Sequence, residues 1–131
     1  MIKALKVSMI VYGVLGILFG LAYVLIPQQL GAMFGFEQGP EYVAALWASL
    51  GMSLIAASVF LIAAARDPLR HIYWVKFAIL FAILMEIAEL YSFIRGYVDF
   101  GQAGMGIILD AIFLVSFLAF YPWRAARSSG E

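Results

Sequence analysis

Four stretches of about twenty residues, each nearly free of charge, dominate this chain and decide most of what it can fold into. Residues 7–26, 43–65, 72–94 and 105–122 are each long enough to cross a hydrocarbon core of ~30 Å. A helix is the form in which such a segment satisfies its own backbone N–H and C=O groups in lipid. Soluble domains are about 45–50% apolar and about 25% charged. This chain of 131 residues is 66% hydrophobic and 12% charged. The reading is all-α: an antiparallel four-helix transmembrane bundle, residues 1–131 forming one integral-membrane domain with no room for a separate soluble one.

The first stretch opens on Lys3 and Lys6, as a secretory signal does. Its apolar run is longer than a signal core, and no small-x-small cleavage site follows. It is therefore expected to be the first span, ended by Pro27. Gly13, Gly16 and Gly20 share one helical face, which is expected to seat a neighbouring helix of the same chain rather than a second copy. In the link to the second span, Leu30, Met33 and Phe34 fall at helical spacing. They predict a short interfacial helix that serves as a membrane-hugging connection rather than a lid. Ser49, Ser53 and Ala57, four residues apart, predict a small-residue packing face on the second span. Arg66-Asp67-Pro68 stops that span, and residues 95–104 read as a Gly-containing loop.

Charge sets the orientation. Lys3, Lys6, Arg66, Arg70, Arg124 and Arg127 fall on one side of a four-span chain, and Arg95 stands alone in the loops of the other. The cationic side should be cytoplasmic, so both termini are predicted inside. Tyr73, Trp74, Tyr121 and Trp123 mark that interface, and Tyr23, Tyr42, Trp47, Tyr91 and Tyr97 the outer one. Lys76, one turn inside the third span, can snorkel to the headgroups.

Glu86, Glu89 and Asp110 are a different matter. A carboxylate deep in a bilayer costs a few kcal/mol even on lenient insertion scales. At 1.5 Å per residue, Glu86 lies about 12 Å and Glu89 about 8 Å below the outer end of the third span, with Asp110 at about 8–9 Å on the fourth. Three acids from two helices are thus predicted to converge in the outer half. They cannot all stay ionised together in low dielectric, so at least one should hold a proton. Candidate partners are Arg95, Tyr91, Tyr97, Trp47, Ser49 and Ser53.

Two readings follow. In the leading one the acids serve a cavity that binds a small lipid-like or cationic ligand, or carries protons. Glu86 is central, Glu89 and Asp110 tune it, and Trp47, Tyr91 and Tyr97 line the space. In the other they are a hydrogen-bonded lock in an accessory or scaffold subunit. An acid–base isomerase acting on a lipid-like substrate is a third use of a carboxyl pair.

Much chemistry is excluded. Cysteine is absent, which removes thiolate catalysis and iron–sulfur ligation. The single histidine, His71, belongs at the face opposite the acids, so neither a Ser–His–acid triad nor zinc is expected, and no metal or cofactor is predicted. Nucleic acid is not an expected partner, because the cytoplasmic cations suit anionic headgroups. The lipid bilayer is the expected surround. Four spans are few for a complete transporter, so a homodimer or larger membrane complex is anticipated.

The Gly-rich first span ending in Pro27-Gln28-Gln29-Leu30, the small-residue-rich run 44–65 and Arg66-Asp67-Pro68 resemble small bacterial four-helix membrane families, the BphX-like and DoxX-like proteins. The likeness covers residues 1–70. It implies a four-helix protein of a bacterial inner membrane and brings no catalytic motif.

Overall fold

The structure is a computed structural model and describes residues 2–37 and 39–123. Arg124 and Arg127, used above in the charge bias, lie outside the described residues. Five helices follow in order: α1 (Ile2–Leu25), α2 (Pro27–Met33), α3 (Glu41–Ala64), α4 (Ile72–Ile94) and α5 (Phe100–Phe120). No strand occurs among the described residues. α1, α3, α4 and α5 are each long and apolar enough to cross a membrane, the architecture of a multi-pass membrane protein. Their outer faces carry Val7, Val14, Leu18, Leu80, Leu84, Ile108 and Val115, all exposed. In water such surfaces would exceed any ordinary apolar patch.

Each helix ends where its sequence supplies a stop. Pro27 opens α2 in its first turn, where a missing N–H costs nothing. Gly35, at φ 82°, closes α2: Phe36 N–H donates to Gly31 O at 2.9 Å and Gly35 N–H to Ala32 O at 3.0 Å. Gly96, at φ 76°, closes α4 in the same way, with Tyr97 N–H donating to Ser92 O at 2.9 Å. Both are left-handed glycine caps of the Schellman kind. α5 starts at Phe100 rather than near Met105, so the expected loop 95–104 shortens to residues 95–99. The cause is a capping box. Gln102 N–H donates to Asp99 Oδ1 at 2.8 Å, and Asp99 N–H donates to Gln102 Oε1 at 2.9 Å.

The long helices pack most closely as two pairs, α1 with α3 and α4 with α5. α1 reaches α3 through its glycine face. A Cβ on Gly20 would lie 2.7 Å from Gly51 O, and one on Gly51 would lie 2.5 Å from Gly20 O. Gly16 faces the Ser58 hydroxyl and Gly13 the Ile62 side chain. The glycine face is therefore spent within the chain. Its counterpart on α3 is Gly51, Ile55, Ser58 and Ile62, not the expected Ser49–Ser53–Ala57 row. Ser49 and Ser53 are exposed, and their hydroxyls donate to Ala45 O at 3.1 Å and Ser49 O at 2.9 Å. A serine satisfied by its own helix offers no closer approach than alanine, whereas glycine does.

The apolar core gathers at one end of the bundle. It joins Leu5 and Met9 of α1, Leu61 and Ala64 of α3, Ile72 and Val75 of α4, and Phe113 and Phe117 of α5. Leu5, Met9, Val75 and Phe117 have no exposed surface at all. Away from this end the two pairs part, and the space between them is the cavity described next.

Candidate functional site

The four long helices enclose a cavity of about 340 Å³ that is neither sealed nor flat. That volume suits a small drug-sized molecule. Most of its wall is aromatic or aliphatic. α1 supplies Tyr12, Phe19 and Tyr23, α3 supplies Trp47 and Leu54, and α4 supplies Phe77, Phe81 and Met85. Two carboxyls interrupt this lining, Glu89 from α4 and Asp110 from α5.

The carboxyls are held together by local features. Glu86 and Glu89, three residues apart on α4, share a helix face. Each of Glu86, Glu89 and Asp110 presents an oxygen, and the three oxygens lie within 4.8 Å of one another. Gly106 stands one turn before Asp110 on α5, and the Glu89 carboxylate occupies the space a Cβ there would take. The glycine is therefore the slot that lets a long acidic side chain lie flat on α5. From α1, the Tyr12 hydroxyl is directed at the Asp110 carboxyl. Its ring is fixed by Phe113 at 4.6 Å and Phe117 at 5.4 Å between centroids. Oε2 of Glu86 and Oε2 of Glu89 are buried without a hydrogen-bond partner.

The cavity wall beside α2 carries a second set of contacts. Gly35 turns the chain so that Phe34 and Phe36 both reach the cavity. Phe36 meets Trp47 at 6.2 Å, and Trp47 meets Tyr23 edge-on at 5.0 Å. Gln102 Nε2 donates to Gly35 O at 3.1 Å, which ties the start of α5 to this segment. The link between the first two long helices is thus part of the cavity wall and not a surface connection alone.

Of the residues singled out from sequence, Glu89, Asp110 and Trp47 line the cavity, and Glu86 completes the acidic cluster without lining the space. Arg95, Tyr91 and Tyr97 do not line it. They are exposed and cluster beside the α4–α5 turn, Tyr91 against Tyr97 at 6.1 Å and the Arg95 guanidinium 5.8 Å from the Tyr97 ring. Ser49 and Ser53 are exposed too. Tyr12 and Gly106 were the residues that sequence reasoning passed over. Gly106, at i−4 from Asp110 on the same helix, was the available signal. Nothing in the sequence marked Tyr12.

Chemically, the acidic set offers three carboxyls and neither imidazole nor thiolate. With both oxygens of each carboxyl in play it has hard ligands of the kind calcium takes, and it lacks the softer ligands zinc prefers. Carboxyls walled by aromatic rings also suit an organic cation, which gains from both the charge and the ring faces. Fold and site together define a class: a helical membrane bundle with an aromatic, acid-floored cavity between two tightly packed helix pairs. Comparison with protein-family models, curated proteins and solved structures finds no match to this chain.

Proposed function

We propose that the protein binds a small apolar cation, an amine-bearing lipophilic molecule, in the cavity between the two helix pairs. The observation that carries this reading is the placement of Glu89 and Asp110 in the wall of an otherwise aromatic cavity of about 340 Å³. A purely structural lock would be expected to satisfy its own oxygens. Here Glu86 Oε2 and Glu89 Oε2 are left without partners, an arrangement that lacks the donor a cation would bring. The accessory-subunit reading is weakened by the same two atoms.

The bundle in this reading is antiparallel, with both termini cytoplasmic and the acids in the outer half of the bilayer. The Lys and Arg bias supports that orientation. The setting is a bacterial inner membrane, as the resemblance to the BphX-like and DoxX-like families implies. Ligand binding is linked to protons. Three carboxyls this close cannot all be charged in an empty low-dielectric site, and an arriving cation replaces a proton. Carriage across the membrane would use the same exchange, with a homodimer or larger complex completing the path.

Equilibrium binding of an aromatic tertiary amine and of its uncharged ether analogue, to protein purified in detergent, tests the reading. The amine should bind and the ether should not, with Glu89→Gln and Asp110→Asn each weakening the amine at least tenfold. Arg95→Gln should leave it unchanged. Equal binding of amine and ether would sink the proposal.

A further inference from the structure

One stretch of the cavity wall is built unlike the rest. The long helices are braced: α1 meets α3 backbone to backbone at Gly20 and Gly51, and Glu89 of α4 fills the slot at Gly106 of α5. The apolar core closes one end. Residues 34–36, between α2 and α3, belong to no helix. Phe34 and Phe36 reach the cavity, while Met33, Gly35 and Glu37 are exposed. This strap is therefore packed from the inside alone, and Gly35, at φ 82°, supplies its bend.

The hydrogen bond from Gln102 Nε2 to Gly35 O, at 3.1 Å, fastens the strap to α5. Gln102 is held ready for that contact. Its Oε1 accepts from Asp99 N–H at 2.9 Å inside the capping box, which fixes the amide and leaves its nitrogen for Gly35. Its Cγ lies 3.9 Å from where a Cβ on Gly35 would stand. One amide thus starts α5 with its oxygen and fastens the strap with its nitrogen. Glutamate would serve a capping box equally well, so it is the second contact that calls for an amide.

We infer that residues 34–36 are a gate over the cavity, latched by Gln102, through which a ligand passes when the latch lets go. The inference rests on the reading of the cavity as a binding site. Opening swings Phe34 and Phe36 away about Gly35, parts Phe36 from Trp47 and leaves the four long helices in place.

The chain has no cysteine, so a single thiol placed on the cavity wall by Ala57→Cys reports access. Its rate of modification by N-ethylmaleimide, a neutral reagent, is measured in detergent with no amine present. Gln102→Glu keeps the acceptor that caps α5 and loses the donor. It should speed modification about fivefold, the ratio to which ~1 kcal/mol for one hydrogen bond converts. Gln102→Met, which loses the donor without adding charge, should act alike. Asp99→Ala loosens the start of α5 but keeps the amide, and should leave the rate within about twofold of the parent. A parental rate in both Gln102 variants would overturn the inference and place entry elsewhere in the wall. Equal acceleration by Asp99→Ala would overturn it too, since fraying of α5 would then be the cause. Acceleration in a protein that binds no amine would count against the ligand proposed above and for the gate.

Discussion

The crossing of α1 and α3 at Gly20 and Gly51 allows a prediction with a sign and a size. Alanine at position 20 would put its Cβ 2.7 Å from the Gly51 carbonyl oxygen, and ordinary contact begins at 3.4 Å. The obstructing atom is backbone, which cannot swing aside, so the helix axes must part by about 0.7 Å. Overpacking of this kind costs about 1–3 kcal/mol, and alanine returns up to ~1 kcal/mol of helix propensity. Gly20→Ala should therefore be destabilised by about 1 kcal/mol. Gly51→Ala meets Gly20 O at 2.5 Å and should cost at least as much. Both side chains enter one crossing, so the first substitution opens room for the second. The double variant should cost clearly less than the sum of the singles. Reversible unfolding in mixed detergent micelles measures all three. A Gly20→Ala variant as stable as the parent would refute the close crossing, and strict additivity would refute the shared one.

Other expectations rest on the site and its supports. Glu86→Gln and Glu89→Gln, which replace partnerless buried oxygens by amides able to donate to a neighbouring carboxyl, should leave thermal stability equal or higher; a loss above ~2 kcal/mol in both, measured in one detergent, would restore the lock reading. Gly106→Ala strikes only the movable end of Glu89, so stability should change by less than ~1 kcal/mol while amine affinity falls, and titration of the amine into purified variant checks the split. Asp99→Ala removes the α5 cap and should cost about 0.5–2 kcal/mol by the same unfolding assay. Amine binding should strengthen as pH rises, because the empty site then has fewer protons to surrender, and a weakly buffered solution should acidify on binding. A pH-independent affinity with no proton release would contradict the linkage.

The long helices were legible because hydropathy over twenty residues is a strong signal, and the glycine face of α1 because small residues at three- and four-residue spacing have few other uses. The true start of α5 was also written in the chain, as Asp99-x-x-Gln102, but a loop reading built on Gly101 and Gly104 hid it. Depth arithmetic brought Glu86, Glu89 and Asp110 together correctly, yet it could not say which nearby polar groups would turn toward them. Tyr91 and Tyr97 lie at a suitable level along the chain and do not line the cavity, whereas Tyr12 lies on another helix and faces Asp110. Level along a helix is readable from numbering; azimuth around a bundle depends on how the pairs pack. The same limit explains Ser49 and Ser53, whose spacing matched a packing face that glycine fills better.

A bundle packed at one end and parted at the other has the mechanics of a clothes-peg. The α1–α3 and α4–α5 pairs share their core at Leu5, Val75 and Phe117, which places the fulcrum there. With a lever arm of about 15 Å along the helices, a relative tilt of ~5° moves the far ends by about 1.3 Å. If the proposed ligand site is right, such a tilt would admit molecules of graded size without breaking a helix or unpacking the fulcrum. The Gln102–Gly35 hydrogen bond joins the two jaws away from the fulcrum and would resist such a tilt.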